Sequence, residues 1–135
     1  MIVITLTHGL FGEELLRAAE MIVGKQDKVE VLSIQGNVSM NEASLKLEEI
    51  IKKYPDDGCL VFTDMFGGSP SNIAIAYLDY ENLEVVSGLN LAMLLKTFTM
   101  RMDSENSLED VARQAAQAGI ESIKVAGDLL KKKED

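Results

Sequence analysis

A single cysteine, a single histidine and only 13 basic residues against 22 acidic ones set the first bounds on this 135-residue chain. Cys59 has no second thiol to pair with, which excludes an internal disulfide and a thiolate cluster for a structural metal. One histidine also falls short of the ligand set of a typical zinc site, so neither a metal nor a cofactor is expected. The formal net charge of −9 opposes binding to nucleic-acid backbones and to anionic membrane surfaces. No apolar run is long enough to span a bilayer, and the short one at the amino end lacks the basic start of a signal peptide. A reducing cytoplasm is the expected setting. Walker loops, internal repeats, low-complexity tracts and linkers are also missing, so residues 1–135 are expected to form one domain.

What is present is a regular alternation. Ile2 to Thr7, Val29 to Ile34, Cys59 to Thr63 and Leu83 to Ser87 are short runs, apolar at most positions, which predicts buried parallel strands with Cys59 in the core. Segments of helical period separate them. Gly12 to Val23 carries Leu15, Leu16, Ala19 and Ile22 on one face and stops at Gly24. A capping box of Ser39 and Glu42 opens a second helix, with Leu45, Leu47, Ile50 and Ile51 as its stripe and Pro55 as its end. Ser69 as cap and Pro70 at the first helical position open a third, continued by Asn72 to Leu78. Leu91 to Met102 is a fourth, with Met93, Met100 and Met102 as core filler, and Ser107 with Asp110 caps a fifth reaching about Ala118. This alternation predicts an α/β fold with a doubly wound, mainly parallel sheet. Glu121 to Ala126, with Ile123 and Val125 in alternation, predicts a late edge strand, whose open backbone favours pairing with a second subunit. Lys131 to Asp135 is expected to fray.

The chemistry gathers where the strands end. His8 closes the first strand, and imidazole offers a neutral nucleophilic nitrogen at cellular pH. Asp64 follows the third strand, and in a right-handed βαβ arrangement the two strand ends open on the same side. The carboxylate can hold one ring nitrogen and leave the other free to attack an electrophile. Gly67 and Gly68 allow close backbone approach, while the hydroxyl of Ser69 and the amides of Ser71 and Asn72 suit a phosphoryl group. Pro70 has no N–H to give. Together these residues predict phosphoryl transfer through a phosphohistidine.

Thr7-His8-Gly9, Glu14-Leu-Leu, Ala19-Glu-Met, Asp64, Gly67-Gly68-Ser69-Pro70, Asn72-Ile-Ala, Gly88-Leu-Asn90 and Met93-Leu94 are, in this order, similar to the enzyme IIA component of the mannose-type (mannose–fructose–sorbose) bacterial sugar phosphotransferase system. The resemblance covers nearly the whole chain. It implies that His8 accepts phosphate on Nε2 from the phosphocarrier protein HPr and passes it to a IIB component, with Asp64 on Nδ1 and Ser69 touching the phosphate. It also implies a homodimer that exchanges an antiparallel carboxyl-terminal strand, here Glu121 to Ala126. Two positions depart from the pattern: Phe66 stands where some relatives carry tryptophan, and Ser71 where a larger apolar residue occurs. With no IIB domain in the sequence, IIB function is expected from a separate polypeptide. Sugar choice and membrane contact are expected to belong to the transporter's other components.

Three other readings share parts of this pattern. A receiver domain would place its phosphoacceptor at Asp64, but it needs an acidic, magnesium-holding cluster where Thr7-His8-Gly9 stands. A flavodoxin-like module would need more hydroxyls in the first loop. The phosphocarrier subunit of a dihydroxyacetone kinase also uses a histidine after its first strand, but the longer match favours the sugar system. Leu10, Phe11, Met65 and Phe66 fit either a docking rim around the site or ordinary core packing.

Overall fold

The computed structural model describes residues 1–36 and 39–134. Four parallel strands, β1 (Ile2–His8), β2 (Val29–Ile34), β3 (Cys59–Thr63) and β4 (Leu83–Ser87), form one sheet in the order β2-β1-β3-β4. Ile4 pairs with Glu30 on one side and with Val61 on the other, and Val61 pairs with Val85. The central strands β1 and β3 are buried at nearly every position, whereas the edge strands are mostly half-buried. Runs that are apolar on both sides of the strand require cover on both faces of the sheet.

Helices supply that cover. Ile2, Ile4, Leu6 and Val61 pack beneath α2 (Met40–Lys53) and α3 (Ser69–Ile75), through Leu47, Ile50, Ile73 and Ala74. Val3, Leu60 and Phe62 pack on the opposite face against α1 (Phe11–Val23), α4 (Leu91–Met100) and α5 (Leu108–Glu121), through Ala19, Leu94, Phe98 and Val111. The expected doubly wound α/β architecture is therefore present. Cys59 lies within the first of these clusters. Ser39 Oγ accepts the Glu42 amide and Ser107 Oγ accepts the Asp110 amide, each at 3.1 Å, and Gly24 ends α1 at φ +86°.

Several local expectations are corrected. Ile22 and Leu45 are exposed, because the buried stripes run through Ala19 and through Leu47 and Ile50. Gly68, not Ser69, is the N-cap of α3; Ser69 is already helical, which moves Pro70 to the second position. That helix stops at Ile75 and gives way to turns before Leu78. Met93 is buried, but α4 ends at Met100 and leaves Met102 exposed. The late antiparallel edge strand is absent from this chain's sheet: Glu121 closes α5, Ala126 opens α6 (Ala126–Glu134), and Ile123 and Val125 are 74% and 67% exposed between them. Two alternating apolar residues cannot hold a strand without a neighbouring backbone to pair with. Lys131 to Glu134 belong to α6 instead of fraying, and Asp135 lies outside the described residues.

The amino ends of the strands are closed by Arg101. Its guanidinium donates to the carbonyls of Met1, Asp27 and Lys28 and to Gln26 Oε1, and its Cζ lies 5.0 Å from the centre of the Phe98 ring. The carboxyl ends, on the opposite side, carry His8 and Asp64.

Candidate active site

Residues on either side of His8 are pinned before its side chain is considered. The Gly9 amide donates to the Ile34 carbonyl at 2.8 Å, tying the turn to β2. Thr7 Oγ1 accepts the Gly12 amide at 2.9 Å. Gly12 lies so close to β1 that an added Cβ would come within 2.7 Å of Thr5 Oγ1, so α1 is seated directly on the strand. Neither Thr7 nor Gly12 was singled out from the sequence for this role. The available signal was a glycine in the first turn of a helix, where it is otherwise unfavourable.

Since β3 pairs with β1, the residue just beyond it, Asp64, arrives beside His8. Asp64 Oδ2 lies 2.7 Å from His8 Nδ1 and accepts the His8 main-chain amide at 3.0 Å. The carboxylate is mostly covered at 16% exposure, while the imidazole is 50% exposed. Burial pushes the Asp64 carboxyl up, but hydrogen bonds from the His8 ring and amide outweigh it and hold the group below its ordinary value. An ionised Oδ2 assigns the proton of the neutral ring to Nδ1 and leaves the Nε2 lone pair free. Asp64 Oδ1 is buried with no hydrogen-bond partner among the described residues.

Beyond Asp64, the chain turns through Gly67 at φ +87° into α3. A Cβ on Gly68 would lie 3.1 Å from His8 Cε1, so this turn packs against the ring. Of the amides expected to face a phosphate, Asn72 is corrected, because its N–H already donates to the Gly68 carbonyl at 3.0 Å. The amides of Ser69 and Ser71 precede the first residue that can bond within the helix. The Ser71 side chain is buried, its Oγ has no partner among the described residues, and it lines a cavity of about 350 Å³ with Phe66, Ile75, Leu78, Val85 and Ser87. Leu10, Phe11, Met65 and Phe66 are all exposed, Phe66 at 75%, which decides against core packing. No cluster of potential metal ligands occurs among the described residues, and no helix there is long and apolar enough to cross a membrane.

The family model described as "PTS system fructose IIA component", where PTS is the phosphotransferase system, matches residues 1–115. The chain belongs to this IIA family. Its similarity extends to the mannose-specific EIIAB component of Escherichia coli (strain K12), 32% identical over 120 residues that make up 87% of this chain. The chain spans only 37% of that relative's length. The fructose-specific EIIA component of Bacillus subtilis (strain 168) is 25% identical over 127 residues, covering 93% of this chain and 86% of the relative. Among solved structures, an EIIA component from Streptococcus agalactiae superposes with a TM-score of 0.85 at 28% identity, covering 94% of this chain and 98% of that one. The mannose/sorbose-specific IIA subunit from Enterococcus faecalis gives a TM-score of 0.82 at 29% identity, with 92% of each chain covered. The mannose-type resemblance read from the motifs agrees with these IIA matches.

Proposed function

We propose that this IIA-family protein is a phosphocarrier of a bacterial sugar phosphotransferase system. His8 takes a phosphoryl group from phosphorylated HPr and passes it to a IIB component for sugar uptake and phosphorylation. The observation that carries this reading is the 2.7 Å contact between His8 Nδ1 and Asp64 Oδ2. In the forward step, the Nε2 lone pair attacks phosphorus, the P–N bond to the donor histidine breaks, and its electron pair returns to the donor ring. Asp64 accepts the Nδ1–H and stabilises the positive charge that builds on the ring as the new P–N bond forms. The reverse sequence delivers the group to the next nucleophile. The Ser69 hydroxyl and the free amides of Ser69 and Ser71 are suited to the phosphoryl oxygens, beside the turn formed by Gly67 and Gly68.

Leu10, Phe11, Met65 and Phe66 form the apolar rim on which HPr and IIB dock in turn, consistent with their exposure. Homodimer formation is supported by two features: β4 is a sheet edge, and the Ile123 to Val125 segment, exposed at Ile123 and Val125, pairs with no strand among the described residues. The carrier works in the cytoplasm and meets the membrane only through the transporter complex. No observation favours a dihydroxyacetone kinase subunit or a receiver domain.

Incubation with phosphorylated HPr should place acid-labile phosphate on the wild type and none on His8→Ala. Phosphate retained by His8→Ala would sink the mechanism.

A further inference from the structure

Two adjacent glycines in the site loop are glycine for different reasons. Gly67 sits at φ +87°, and an added Cβ there would meet nothing within 4 Å. Its role is conformational. Gly68 has φ −84° and ψ 172°, extended values open to any residue, so backbone geometry does not demand glycine there. It is also the N-cap of α3, where serine, asparagine or aspartate is more stabilising than glycine. This protein uses such side chains elsewhere: Ser39, Asn90 and Ser107 each accept the amide three residues on.

The reason for forgoing a cap lies across the turn. A Cβ at position 68 would stand 3.1 Å from His8 Cε1 and 3.2 Å from Met65 Cγ. Met65 is half-exposed and flexible, so it can swing aside. The imidazole cannot yield as freely, because one Asp64 oxygen holds both its Nδ1 and its main-chain amide. Cε1 joins the two ring nitrogens. Pressure on it therefore lengthens the Nδ1 contact or swings Nε2 away from the line of attack.

We infer that Gly68 is a positioning residue, kept free of a side chain so that the His8 ring can stay against Asp64 with Nε2 correctly aimed. This rests on the proposed role of His8 as phosphoryl acceptor. A local preference is overridden at a functional site, as expected where reaction geometry outranks helix capping.

Gly68→Ser separates the two roles by sign. Serine restores a capping hydroxyl, so the thermal midpoint should hold or rise. The added Cβ should displace the ring by a few tenths of an ångström. Transfer from phosphorylated HPr should then slow several-fold to about tenfold, in line with the steep dependence of rate on alignment. The ¹⁵N resonances of the His8 ring, recorded without phosphate, should shift. Gly68→Ala, measured alongside, brings the same Cβ but no hydroxyl to occupy the Ser71 amide; it should shift them too and slow transfer alike, and a wild-type rate in Gly68→Ala would overturn the inference. Combining Gly68→Ser with Met65→Ala should leave the ring resonances displaced, and their return to the wild-type positions would trace the effect to Met65 and overturn the inference. Unmoved ring resonances with a wild-type rate would overturn it as well. Failure of the wild type to accept phosphate would instead remove the proposed function, while the ring resonances would still decide the role of Gly68.

Discussion

A single oxygen of Asp64, Oδ2, receives both the ring and the main-chain N–H of His8, at 2.7 and 3.0 Å. The carboxylate thus sets the rotation of the side chain and the position of its backbone together. Asp64→Ala should leave His8 modifiable but slow its labelling by about 10- to 100-fold, the range over which outer partners of functional histidines act. Rapid-quench phosphorylation by HPr measures this, and an unchanged rate would remove Asp64 from the mechanism.

The same contact has a signature in acid. Although burial raises the Asp64 carboxyl, the His8 hydrogen bonds bring it below its ordinary value of 3.8. The unfolded chain therefore binds that proton more tightly than the folded one, so the stabilisation is fully present above 3.8 and is lost as pH falls through the folded value. Urea midpoints taken from about pH 5 down to about pH 2 should fall more steeply for wild type than for Asp64→Asn. Parallel curves would contradict the assignment.

Gly12 should tolerate no side chain. Its Cβ would meet Thr5 Oγ1 at 2.7 Å on a buried strand, so Gly12→Ala should lower unfolding free energy by about 1–3 kcal/mol despite alanine's better helix propensity. Denaturant titration checks this, and a more stable variant would show that α1 is not tightly seated on β1.

Cys59 should behave as core. Burial, followed by the nearby charge of Asp57, pushes its thiol up, which keeps the nucleophilic thiolate scarce. Thiol reagents should modify it only as fast as the protein opens. Cys59→Ser should cost about 1–3 kcal/mol by burying a hydroxyl without a designed partner, as read by thermal and chemical unfolding.

Removal of residues 122–135 should convert the proposed homodimer to monomers, measured by sedimentation. A truncated dimer of undiminished affinity would reject exchange of the Ile123 to Val125 segment.

The four strand ranges were readable from the sequence because buried parallel strands are short runs apolar at most positions and bounded by turns, and all but the final residue of β1 were anticipated. The pairing of His8 with Asp64 was readable for a related reason: adjacent parallel strands deliver their carboxyl ends to one side. Finer features depended on packing distances. Gly-Gly-Ser-Pro suggests a serine cap, yet the extended φ and ψ of Gly68 start the helix one residue earlier. Ile22 and Leu45 match the helical period but lie at the margins of their stripes, where period alone does not distinguish covered from open positions. Alternation at Ile123 and Val125 resembles a strand, but among the described residues no strand pairs with it.

Arg101 gives the chain an order of completion. Its carbonyl acceptors lie at Met1, Asp27 and Lys28, so this clamp on the amino ends of the sheet cannot close until more than a hundred residues have been made. On a chain made from its amino end, β1 and β2 can pair early. The loop between α1 and β2 is first tied to β1, where the Lys28 carbonyl accepts the Val3 amide at 3.0 Å, and gains its guanidinium clamp only once α4 is complete.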